Sequence, residues 1–185
     1  IVQGGKMTYP KGYEWLGNVG QLPRTVREGL ALHGTVETPG AANSPVIMGW
    51  AKEAGKDIAA SYGADSVPWC GLYAAVVVKR AGKPVISGPL WARNWAKFGQ
   101  GVDKAGLGDV LVFVRDGGGH VGFYIAEDDT AYHVLGGNQS DKVCITRILK
   151  SRCIAKRRPY FKIAAPASVK PYRVKASGGL SRNEA

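Results

Sequence analysis

The run Val67-Pro68-Trp69-Cys70-Gly71-Leu72-Tyr73-Ala74-Ala75-Val76-Val77-Val78-Lys79-Arg80-Ala81-Gly82 predicts a helix that is apolar nearly all the way round. Such a helix belongs in the middle of a domain rather than on its surface. Gly82 ends it, and Pro68 suits its first turn. Upstream, residues 24–33 predict a short helix ended by Gly34. Residues 37–40, Glu37-Thr38-Pro39-Gly40, form a turn, and Ser44-Pro45 opens a second helix running to about Tyr62, with Ser44 as its cap. Residues 89–98 read as a fourth, short helix. Residues 1–23 carry Gly, Pro and aromatics without periodicity and read as an extended arm.

Downstream of Gly99 the apolar period changes to two. Residues 109–115, 120–126, 131–135, 142–148 and 152–158 predict five strands, with Gly117-Gly118-Gly119 and Glu127-Asp128-Asp129 as hairpin connections. Helices first and strands second give an α+β class, with an antiparallel sheet packed on the central helix. The expected organisation is an arm over 1–23, one domain over 24–164, and a basic flexible tail over 165–185. At 185 residues and 45% hydrophobic content the chain can bury one real core, but not two large ones.

Charge is uneven. Ten Lys and Arg and a single acidic residue lie from Lys150 onward, so that part holds +9 of the net +11. A basic end favours an anionic partner, such as an anionic membrane or wall surface. Nucleic acid is disfavoured, because the tail lacks a spaced aromatic platform. No apolar run reaches the roughly 20 residues of a membrane span, and no signal-peptide pattern opens the sequence. Three cysteines, Cys70, Cys144 and Cys153, do not make a disulfide framework. His33, His120 and His133 are too scattered for a zinc site, and no cofactor or metal is expected.

Chemistry enters with the order of three residues. Cys70 falls in the opening turn of the central helix, where unpaired N–H groups and the helix dipole favour a thiolate and could hold an oxyanion. His120 starts a strand after three glycines. Alternation sets it with Gly122 and Tyr124, which leaves open space before the ring, while Val121, Phe123 and Ile125 face the core. Asn138, at the end of the next strand, is the expected holder of the ring tautomer, with Gln139 and Asp141 as alternatives. Taken singly, each has an ordinary reading: a core cysteine, a packed histidine, a Gly-Gly-Asn turn. The sequence Cys, His, Asn along one chain is the order of papain-like cysteine hydrolases.

Four segments carry a resemblance: Ser66-Val67-Pro68-Trp69-Cys70-Gly71-Leu72-Tyr73, Gly108-Asp109-Val110-Leu111-Val112-Phe113, Gly118-Gly119-His120-Val121-Gly122-Phe123-Tyr124, and Leu135-Gly136-Gly137-Asn138-Gln139-Ser140. Together they resemble the CHAP and NlpC-type cysteine amidases and endopeptidases, most closely the small cell-wall hydrolases of phages and bacteria, from about Trp15 to Arg158. The resemblance implies a papain-like fold and an endolysin-like peptidoglycan hydrolase. Cys70 would be nucleophile, His120 base and Asn138 the residue that orients the ring. Two departures stand out: Gly136 and Gly137 replace a carboxylate common before the Asn, and only Asp57 and Asp65 stand where some relatives bind calcium. Trp69, Gly119, Gly122, Tyr124 and Gln139 are the expected substrate contacts, with Trp91 or Trp95 as further groove walls. The expected enzyme is a monomer made in a host cytoplasm and acting at the wall or periplasm, free or carried on a virion. The rival expectation is a non-catalytic phage structural or anchoring module that binds an anionic partner through its tail; a second is acyl transfer in place of hydrolysis.

Overall fold

The computed structural model describes residues 2–3, 6–40, 42–65 and 67–184. Ile1, Ser66 of the first motif and Ala185 therefore lie outside the described residues. The helical half holds α1 (Arg24–Ala31), α2 (Pro45–Ala54), α3 (Lys56–Ser61) and α4 (Cys70–Arg80). Ser44 caps α2 as expected, its side chain accepting from the Ile47 N–H at 3.4 Å, with Pro45 at the first position. The single helix expected to reach Tyr62 is instead broken into α2 and α3 at Gly55, whose extended backbone ends one helix and starts the next. Every residue of α4 from Cys70 to Val78 is buried. The expected fourth helix is a 3₁₀ segment, Ala92–Lys97.

The strands are β1 (Val2–Gln3) and β2 (Lys6–Met7), a small hairpin within the expected arm, then β3 (Gln100–Gly101), β4 (Val110–Arg115), β5 (Gly118–Glu127), β6 (Ala131–Gly136), β7 (Cys144–Leu149) and β8 (Cys153–Arg158). The last six form one antiparallel sheet in the order β3-β8-β4-β5-β6-β7. The five expected strands are present. The sixth, β3, is two residues long and pairs only with β8, too short for periodicity to reveal.

Alternation along β5 sorts the two faces. Val121, Phe123 and Ile125 join α1, α2 and α4 in the main core, whereas Tyr124 packs with Leu111, Phe113, Tyr132 and Val134 on the opposite face. The chain is thus α+β, with buried helix on one face of the sheet.

The expected flexible tail is corrected by this structure. Residues 168–184 lie along the domain: Leu107 N–H donates to Lys170 O, Glu127 N–H to Tyr172 O, Val174 N–H to Glu127 O, and Ser181 N–H to Arg147 O. Lys and Pro composition suggested a solvated end, but backbone groups recruited from distant strands hold it. The basic residues are also engaged. Of the ten from Lys150 onward, Lys150 pairs with Glu127, Arg152 with Glu184, Arg158 with Asp109 and Arg173 with Asp129, while Lys156 and Arg157 donate to Asp103 O and Phe98 O. Among the described residues no helix is long and apolar enough to cross a membrane.

Candidate active site

Cys70 is the first residue of α4, after Trp69, and is 4% exposed. Its neighbour Gly71 cannot carry a side chain, since a Cβ there would stand 2.2 Å from Pro89 O. That close approach brings Pro89 and Leu90 against the helix start, and Leu90, Trp91 and Ala92 become one wall of a cleft of about 400 Å³, lined also by Cys70, Pro68, Arg115 and Gly117–Gly119. Two arginines fasten the glycine loop. Arg93 donates to Gly118 O at 2.7 and 3.1 Å, and Arg115 Nε to Gly119 O at 3.1 Å.

The sulfur lies against β5. Burial raises the Cys70 thiol, and the N–H groups of Val121, Gly71 and Cys70, with the Arg115 charge, oppose it without winning. The helix start was expected to favour a thiolate; in this structure desolvation outweighs it and the resting group is a thiol.

His120 pairs with Phe113 across β4 and β5, their ring centroids 6.4 Å apart, and is 1% exposed. Its Nε2 lies 3.0 Å from Gln139 Oε1. The Gln139 amide cannot be flipped, because its Nε2 already donates to Val134 O at 3.1 Å and Cys144 O at 2.6 Å. The amide oxygen must therefore face the ring, so His120 carries its proton on Nε2 and keeps the Nδ1 lone pair. A neutral imidazole with a defined basic nitrogen follows from this arrangement. Burial lowers the His120 pKa to about 4; Glu184 and Gln139 work the other way, and Arg115 and Arg152 add to the lowering.

Asn138, the expected holder of the ring, is not bonded to it among the described residues. It sits in the left-handed region (φ 55°), as do Ser140 (φ 53°) and Asp141 (φ 59°), so the turn coils and sends Gln139 back beneath the sheet instead. Position 136 must be small: a Cβ there would meet Gln139 Oε1 at 2.4 Å and His120 Nε2 at 3.1 Å.

Cys70 lines the cleft and His120 does not: the space expected before the ring is filled, and His120 is enclosed by Phe113, Gly136 and Gln139. Cys70 packs with Val121 and Phe123 in the core, while the side chain of His120 turns toward Phe113 and Gln139. Among the described residues no hydrogen bond joins the sulfur to the ring.

Of the expected substrate contacts, Gly119 lines the cleft. Trp69 does not: it is fully buried, its Nε1 donating to Glu37 Oε2 at 3.0 Å. Tyr124 is also fully buried, its hydroxyl donating to Glu127 Oε1 at 3.0 Å on the far face. Gly122 lies under Val134 and Leu135 O, and Trp95 is in the core. Trp91, by contrast, is 75% exposed and walls the cleft. Arg115 and Glu184 escaped the sequence reading. Arg115 had one available signal, a cation at a strand end just before a glycine run; Glu184 had none. Its carboxylate is buried, receiving both Arg152 nitrogens at 2.7 and 2.8 Å and the Ser181 hydroxyl at 2.9 Å.

The remaining polar groups are structural. His133 bridges Tyr13 (Nδ1, 2.7 Å) and Asp128 (Nε2, 2.9 Å), and Asp128 also binds Arg147 at 2.8 Å, tying the arm to β6 and β7. Asp65 accepts from the Thr38 and Ser44 N–H groups at 3.1 and 2.7 Å, closing the loop before α2. Cys144 and Cys153 are free thiols, half-buried. Among the described residues no group of three or more His, Cys, Asp or Glu is placed to hold a metal ion. No family model, curated protein or solved structure matches this chain.

Proposed function

We propose that the chain is a papain-like cysteine hydrolase that cleaves an amide bond of peptidoglycan, either N-acetylmuramoyl-L-alanine or one within the stem or bridge peptide. The observation that carries the reading is the Gln139 amide. Held by two carbonyls, it fixes His120 as the Nε2–H tautomer and reserves Nδ1 as a base, on the strand whose next residue, Val121, packs in the core with Cys70. The peptidoglycan assignment rests on the four-segment resemblance.

In this mechanism the Cys70 sulfur and His120 Nδ1, which share no hydrogen bond in this structure, come within reach of each other when substrate binds. Nδ1 takes the thiol proton, and the sulfur attacks the carbonyl carbon. The Cys70 N–H, at a helix start with no capping side chain, donates to the oxyanion. His120 then protonates the leaving amine, and water releases the thioester. The rival anchoring role draws on a basic tail, yet six of its ten cations are bonded within the domain.

Cys70→Ala tests the reading: it should abolish lysis of permeabilised cells and leave the melting transition within a few degrees of wild type. Equal lysis by the two proteins refutes it. Mass spectrometry of the digested wall identifies the bond, and amine adducts in the product would reveal acyl transfer.

A further inference from the structure

We propose that Arg115 selects substrates bearing a carboxylate next to the scissile amide, an inference that rests on the reading of Cys70 as nucleophile. Among the described residues Arg115 is the one charged side chain lining the Cys70 cleft. It stands at the end of β4, and its Nε is committed to Gly119 O, so the guanidinium plane is fixed rather than swinging in solvent. Its Nη1 edge already binds an oxygen of the kind a substrate would offer: Asn183 Oδ1, at 3.0 Å, from the C-terminal segment. Among the described residues no carboxylate pairs with Arg115, unlike Arg80, Arg147, Arg152, Arg158 and Arg173, each of which has one.

A guanidinium anchored through Nε, with Nη1 on a replaceable neutral oxygen at the rim of the cleft, matches the two oxygens of a carboxylate through its Nη1 and Nη2 edge. Asn183 supplies a neutral amide oxygen there, a weaker ligand than a charged one. An acidic substrate would displace it, and the exposed Trp91 and Val67 offer apolar surface to the uncharged part of the ligand. The class selected is an acidic peptide whose anionic group lies within one residue of the cleaved bond.

The test uses two synthetic peptides built around the bond identified in the wall digest, one with a free carboxylate on the adjacent residue and one with a carboxamide. Wild type should prefer the acid by roughly 10- to 100-fold in kcat/KM, the span of a charge-assisted hydrogen bond. In Arg115→Gln the ratio should fall to near one, and Arg115→Lys, which keeps charge but loses the fork, should lie between. Binding of both peptides to Cys70→Ala reads the same preference without chemistry, and needs no change at position 115. Equal use of the two peptides by wild type overturns the selection while leaving the hydrolase reading intact. So does an Arg115→Gln protein that keeps the wild-type ratio, or one that loses both substrates equally, which would assign Arg115 to the sulfur's field. A folded wild type that cleaves neither peptide nor peptidoglycan overturns the hydrolase reading itself.

Discussion

Acidification should unfold this protein in part through one ring. His120 is 1% exposed, and burial takes its pKa from the ordinary 6.5 to about 4. The groups facing it are Gln139 and the Glu184 carboxylate, which favour the imidazolium, and Arg115 and Arg152, which oppose it. In the unfolded chain the ring titrates near 6.5. Between pH 6.5 and 4 the unfolded state thus holds a proton that the folded state refuses, so stability falls as pH falls. The difference of about 2.5 pH units, at about 1.4 kcal/mol per unit, gives a loss on the order of 3 kcal/mol by pH 4, fully regained above 6.5. Urea unfolding of wild type and His120→Gln at half-unit steps from pH 7.5 to 4 measures this. Carboxylates and the other histidines titrate in both proteins, so only the difference between the curves belongs to His120. Wild type should lose about 3 kcal/mol more than the variant across the range. Parallel curves would refute the buried neutral imidazole, and with it the assignment of Nδ1 as a ready base.

Three further outcomes follow from the same neighbourhood. Gln139→Leu should cost about 2–3 kcal/mol in urea unfolding, because Val134 O and Cys144 O lose their donor in a buried place. Gln139→Glu restores an acceptor for the ring and should move the acid limb of the kcat/KM profile to higher pH; an unmoved limb would separate position 139 from the base. Glu184→Gln should lower the melting temperature by about 5–10 °C, since it leaves the Arg152 guanidinium, 15% exposed, without its charge partner. An unchanged melting temperature would show that the end of the chain is not docked in solution.

The legible part of the fold is the part where local pattern and tertiary packing agree. The central helix announces itself by an apolar run closed by Gly82, and the β4 and β5 strands by strict alternation around a triple glycine. The break at Gly55 stayed hidden because apolar residues continue on either side of it. Cys70 was visible at the head of α4, and His120 stood out after its glycine run, although β5 begins two residues before it, at Gly118. Gln139 was not separable from Asn138, since the choice depends on three consecutive turn residues adopting left-handed backbone, Asn138, Ser140 and Asp141. The C-terminal segment was misread for a related reason. Its Pro, Ser, Gly and Lys content forecasts solvation, while the backbone groups that hold it belong to strands far away in the chain.

The place of β8 in the sheet has a consequence for birth of the molecule. β4 is flanked by β5 on one edge and by β8 on the other, yet β8 is the last strand to be synthesised. At about 5–20 residues per second, the interval between translating Arg115 and Arg158 lasts on the order of a few seconds. Throughout that time the nascent sheet has a naked Val-Leu-Val-Phe flank, open to pairing with another chain. Overproduction should therefore be limited by clumping of ribosome-bound intermediates, and slower, cooler translation should raise the soluble yield.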